Sequence, residues 1–144
     1  METEEKETIK SEGKLRNATP HSLHIYDPQG KKLLLELEQP KFYIRMKSEK
    51  QKFQHQIEIE GKKIDVYDEQ KFTGLMDQDG KDLDFNDLFS DGKDDVYIVA
   101  WPVIDHVRKN HPEYANRFYM VDTGPEGGVR DTGGRLKGTR RLIQ

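Results

Sequence analysis

The feature that most constrains this chain is its glycine-rich, basic C-terminal end. Six of the twelve glycines lie between Gly124 and Gly138, interleaved with Arg130, Arg135 and Lys137 and followed by Arg140 and Arg141. Glycine serves where backbone must turn with positive φ or pass close against another group. The segment therefore reads as a hairpin, with Val129-Arg130 and Leu136-Lys137 flanking a glycine-rich turn. This density of glycine beside guanidinium groups marks where geometry is most constrained, but it names no reaction.

At 144 residues the chain has the size of one domain. Apolar residues make up 33% and charged residues 35%, which is thin for a core. Part of the deficit lies in residues 1–14, with five Glu, three Lys and no apolar cluster. We expect residues 1–14 to be a disordered charged tail and 15–144 a single globular domain. With no cysteine, disulfides, thiolate metal sites and a cysteine nucleophile are excluded. The N-terminus lacks the apolar core of a signal peptide, and no apolar run is long enough to cross a membrane, so a cytoplasmic protein is expected. A net charge of -3 argues against non-specific nucleic-acid binding. The charge is segregated: residues 68–95 hold ten acids and three Lys, while 130–141 hold five basic residues and one Asp.

Asn17-Ala18-Thr19-Pro20-His21 reads as an ordered turn, since Thr19 before proline is biased to extended backbone and the Asn17 side chain can close a local bond. Strands are expected at 22–26 and 32–37 around the Asp27-Pro28-Gln29-Gly30 turn. Phe42, Ile44 and Met46 alternate with polar neighbours, as do Phe53, His55, Ile57 and Ile59. Glu60-Gly61-Lys62 turns the chain into a strand with Ile64 and Val66, completing an expected meander from 22 to 67. No strand is evident from 68 to 95. Asp84 is a candidate cap for a short helical turn bearing Phe85, Leu88 and Phe89 and stopped by Gly92. Residues 96–100 form a continuous apolar strand. Pro102 suits the first turn of a helix with Val103, Ile104 and Val107 on one face, ended by His111-Pro112. A strand at 118–121 runs into Asp122-Thr123-Gly124. The fold class expected is α+β, mainly β: a small antiparallel sheet or partly closed barrel with one or two short helices.

Two end motifs stand out together: Asn17-x-Thr19-Pro20-His21, and Asp122-Thr123-Gly124-Pro125 followed by Val129-Arg130-Asp131-x-x-Gly134-x-x-x-Gly138-x-Arg140-x-Leu142. With Tyr97-Ile98-Val99 and Val103 between them, the chain from Asn17 onward resembles a family of small bacterial and phage proteins without an established activity. That resemblance implies no catalytic residues. A phage setting would suit a ligand-sequestering or counter-defence role. The acidic 68–95 segment and the charged tail depart from the pattern.

Asp122-Thr123-Gly124 and Asp131-Thr132-Gly133 both match the aspartic-peptidase tripeptide, but they lie in one hairpin rather than on two loops facing across a cleft. We read them as turns. The backbone amides and Arg forks of the hairpin could cradle an anion, and Arg130, beside Asp131, is the foremost ligand candidate. His21 could act as a base oriented by Asp122 if the end motifs meet. The remaining histidines lack metal-ligand spacing, so no metal is expected, and no motif calls for a cofactor. Asp77 to Asp82 only loosely resembles a calcium loop and reads as a polar turn. Trp101, Tyr97 and Tyr119 could stack a base, although core packing is the commoner fate of strand tyrosines.

Three functions follow. The first is a non-enzymatic binding module for a nucleotide-like or other anionic small ligand, with a site drawn from Asn17, Thr19, His21, Asp122, Thr123, Gly124, Arg130, Asp131 and Arg140. The second is a hydrolase using His21 and Asp122. The third is a protein-interaction module docking through the acidic 68–95 segment, with Phe85, Leu88 or Phe89 as an exposed anchor.

Overall fold

The computed structural model describes residues 8, 10, 12–90 and 94–144. The expected tail thus lies mostly outside the described residues, as does Gly92. The α+β, mainly β class holds, carried by several small sheets, none of which closes into a barrel among the described residues.

The strands are β1 (Leu15–Asn17), β2 (Leu23–Tyr26), β3 (Leu33–Leu37), β4 (Arg45–Ser48), β5 (Phe53–Ile59), β6 (Lys62–Tyr67), β7 (Phe72–Met76), β8 (Val96–Ile98), β9 (Phe118–Val121), β10 (Gly128–Arg130), β11 (Leu136–Thr139) and β12 (Leu142–Ile143). Helix α1 spans Phe85–Leu88, α2 spans Trp101–Asn110, and a 3-10 helix covers Pro112–Arg117.

The central sheet has the order β1-β8-β9-β12 and is mixed rather than antiparallel. Strand β8 pairs in parallel with both β1 and β9. A parallel step from β8 to β9 needs a crossover, and α2 supplies it. Pro102 in its first turn and His111-Pro112 at its end bound the helix as the residues demand. Its Val103, Ile104 and Val107 are buried against Val99 and Phe118. On the same core, Phe85 stacks on Tyr114 at 4.7 Å and Phe89 stacks on Tyr114 at 5.3 Å.

A second sheet runs β10-β11-β2-β3. The expected 22–67 meander breaks after β3, because β4 pairs not with β3 but with β7. Strand β7 lies inside the segment expected to have none. Leu75 opposes Met46 and is buried with Ile44 in the core. Residues 45–76 form one long two-stranded arm whose halves are continued by Glu49 N–H to Lys71 O and Asp68 N–H to Lys52 O bonds, each 2.9 Å. The base, β4–β7, sits on the core. The tip, β5–β6, turns at Glu60-Gly61, both with positive φ as a two-residue hairpin requires. No residue of β5 is buried.

Strand β1 is tied to β8 by Asp95. Its carboxylate accepts the Lys14 amide at 2.8 Å and the Arg16 guanidinium at 2.5 Å, and only 5% of Asp95 is exposed. The Lys14 amide first, then Arg16, hold its carboxyl below the usual carboxylate range. Unfolded Asp titrates near ~3.9, so this contribution is fully present above about pH 4 and is lost as pH falls through the lower folded-state value. Asp95→Asn is therefore expected to lower the urea midpoint at pH 7, and the gap to wild type should narrow by about pH 3. A gap that is the same at both pH values would contradict this role.

Candidate functional site

At the N-terminal motif, the local chemistry expected of Asn17 and Thr19 is present and fully used. The Asn17 side-chain amide donates to the carbonyls of His21 at 2.5 Å and Glu38 at 3.2 Å. Its Oδ1 accepts the Thr19 amide at 3.0 Å and the Thr19 hydroxyl at 2.7 Å. Both residues are buried. Every polar valence of Asn17 is spent on the chain itself, so it and Thr19 lock a turn and present nothing to a ligand. The His21 ring is exposed and makes no hydrogen bond or ion pair among the described residues.

The second end motif is likewise tied inward. Asp122 accepts the Gly124 amide at 3.0 Å and the Arg141 guanidinium at 2.6 Å. Arg141 first, then the Gly124 amide, keep the Asp122 carboxyl below its ordinary range. The buried Thr139 hydroxyl lies 2.7 Å from both the Asp122 and Arg141 carbonyls. Gly127 closes this knot, since a Cβ there would stand 2.2 Å from the Asp122 carboxyl carbon. Asp131 accepts the Gly133 and Arg135 amides at 2.9 and 3.0 Å, shaping the β10–β11 turn. Both Asp-Thr-Gly tripeptides are thus side-chain-closed turns, as read from the residues. Arg140 lies against Gly30 of the β2–β3 turn, with its Nε buried and making no hydrogen bond among the described residues.

A groove of about 470 Å³ is formed where β2 and β11 run side by side. Leu23, Val121 and Leu136 supply apolar surface; Tyr26, His24, Ser22, Thr123 and Lys137 bring polar atoms. The Lys137 ammonium sits 5.4 Å from the Tyr26 ring centroid and joins no ion pair among the described residues. His24 Nε2 is 3.3 Å from Glu36. Of the nine residues expected at the site, Thr123 alone lines this groove. Arg130 stands opposite Leu136 across the β10–β11 ladder, on the same face of the hairpin, and donates to the Gly134 carbonyl at 3.0 Å. The residues that the sequence reading missed, Lys137, Tyr26 and His24, carry no local signal. What joins them is the parallel contact of Thr139 with Ile25, between strands far apart in sequence.

The other candidates resolve as follows. His21 and Asp122 share no hydrogen bond, and the carboxylate is committed to Arg141. His21 and Asp122 are therefore not assembled as a base–carboxylate pair among the described residues. Phe85, Leu88 and Phe89 are partly buried against the core rather than exposed as anchors. Beside them, Asp77, Asp82, Asp84, Asp87 and Lys81 line a pocket of about 370 Å³ together with Phe42, Leu83 and Leu88. Asp77 accepts the Asp79 and Lys81 amides at 2.9 and 3.0 Å, which makes the calcium-like stretch a turn. Among the described residues no group of three or more acidic or histidine side chains could hold a metal, and no helix is long and apolar enough to cross a membrane. Tyr97 is in the core, so no aromatic platform forms with Trp101, over whose ring Arg108 lies at 5.3 Å. No family model, curated protein or solved structure matches the chain.

Proposed function

We propose that the chain is a non-enzymatic binding module, and that the β2–β11 groove takes a small anionic ligand with an apolar or aromatic part, of which a nucleotide is the type. The observation that carries this reading is the Lys137 ammonium, which has no ion-pair partner among the described residues and lies beside the Tyr26 ring in a groove also lined by Leu23, Val121 and Leu136. Few convergent polar groups over an apolar floor is the usual build of a small-molecule site. Lys137 supplies the charge, Tyr26 a ring face, and the Ser22 and Thr123 hydroxyls orienting bonds. Arg130 flanks the groove as a second cation.

The test is a melting-temperature and amide-shift titration with ADP and with inorganic phosphate. A ligand at about 100 times its Kd adds roughly 2.7 kcal/mol. Shifts should centre on residues 22–26 and 136–139. Lys137→Gln should weaken binding about tenfold, the size of one charge-assisted bond, and Arg130→Ala by less. If neither probe shifts the melting point at millimolar concentration, the reading fails.

The acidic pocket supports a second reading, docking of a basic protein segment, because four carboxylates against one lysine, Lys81, line it beside apolar side chains, with Asp82 paired to Lys47. Shifts confined to residues 77–88 on adding a Lys-rich peptide would favour it over the groove.

A further inference from the structure

Among the described residues, strand β3 ends the β10-β11-β2-β3 sheet and is hydrogen-bonded on one side only. Its free edge offers backbone donors and acceptors to another strand. Proteins blunt such edges with charge, proline, bulges or covering segments; this one has a bulge at Leu34, yet it carries Leu33, Leu34 and Leu35 at 42%, 53% and 45% exposure. Leu34 is the extra residue of a β-bulge, since Ile25 opposes Leu35 and Tyr26 opposes Leu33, and all three leucines remain exposed.

The flanking charges say what covers the edge. The strand reads Lys31-Lys32-Leu33-Leu34-Leu35-Glu36-Leu37-Glu38, positive at its start and negative at its end. Lys31, Lys32 and Glu38 join no ion pair among the described residues, and Glu36 meets only His24. We propose that β3 pairs antiparallel with β3 of a second copy of this chain, about a two-fold axis at Leu34. That register sets Lys32 of each copy opposite Glu36 of the other, Leu33 opposite Leu35, and Leu34 opposite itself. Opposite charges directly across an antiparallel pair are favourable, and like charges are not. A parallel pairing would instead align Lys with Lys and Glu with Glu. The pattern therefore selects both the partner and its direction. Pairing joins two four-stranded sheets into one of eight across the axis, with the same residues contributed from each side, as a two-fold interface requires.

The experiment is sedimentation of the full chain with a charge swap. A single strand pairing is at the small end of specific interfaces, so association near ~10 μM is expected, and about 100 μM protein should be mostly dimeric. Lys31→Glu with Lys32→Glu sets Glu against Glu; Glu36→Lys with Glu38→Lys sets Lys against Lys. Each double variant should be mostly monomeric at that concentration, with association weakened roughly a hundredfold, and an equimolar mixture should recover the dimer. Leu34→Arg, a single change on the exposed edge, should also be monomeric and serves if a double variant does not fold. Melting curves show which variants are folded. A monomeric wild type at that concentration, a dimer that survives all three changes, or a mixture of folded variants that stays monomeric would overturn the proposal.

Discussion

Gly138→Ala is expected to lower the melting temperature by roughly 10 °C, because a Cβ there has nowhere to go. It would stand 2.4 Å from the His24 carbonyl oxygen and 2.8 Å from Tyr26 Cε2. The ring could tilt, but the carbonyl belongs to β2 and can move only if the strand moves. Among the described residues the β2–β11 ladder is the single pair Thr139 and Ile25, so the strain is relieved by loss of that pairing, which joins the C-terminal hairpin to the first one. Overpacking of this kind costs about 3 kcal/mol, which at this chain length is roughly 10 °C. Gly74→Ala is the control, since a Cβ at Gly74 meets nothing within 4 Å. Calorimetry of the two variants decides the matter. If Gly138→Ala melts within about 2 °C of wild type, the close approach of β11 to β2 is not as described, and the groove between them loses its wall.

That contact also shows which parts of the molecule were legible in the residues. The β5–β6 hairpin could be read because Phe53, His55, Ile57 and Ile59 alternate locally and Glu60-Gly61 supplies the turn. Helix α2 could be read from Pro102, the Val103, Ile104 and Val107 face, and His111-Pro112. Strand β7 could not: Gly74 interrupts Phe72-Thr73-Gly74-Leu75-Met76, and what makes it a strand is β4 across the arm. Strand β1 has three residues, too few for any period, and owes its place to β8 and Asp95. The candidate site divides the same way. Asn17, Asp122 and Asp131 were recognisable as turn formers because each bonds amides or carbonyls near it in sequence. Whether they had valences left for a ligand depended on distant partners, the Glu38 carbonyl for Asn17 and Arg141 for Asp122. The cation in the groove is Lys137 rather than Arg130, and the ladder irregularity between Val129 and Arg130 has no signature in the sequence.

Asn17→Ala tests the inward reading of the first motif, and we expect it to cost about 3 kcal/mol. The substitution removes two donors and one acceptor at once. It leaves the His21 and Glu38 carbonyls and the Thr19 amide and hydroxyl short of partners in a site where Asn17 is only 9% exposed. A buried group left unpaired costs about 1–3 kcal/mol, and water entering the space recovers part of the sum. The loss should appear as a lower urea midpoint with an unchanged slope, because the same surface is exposed on unfolding. Asn17→Asp sharpens the test. It keeps an acceptor for Thr19 but turns a carboxylate toward two carbonyl oxygens, so it should be at least as damaging as alanine despite its matching shape. If Asn17 served a ligand instead, both variants would unfold near the wild-type midpoint while binding was lost. A cost below about 1 kcal/mol for alanine would therefore return Asn17 to the list of ligand donors.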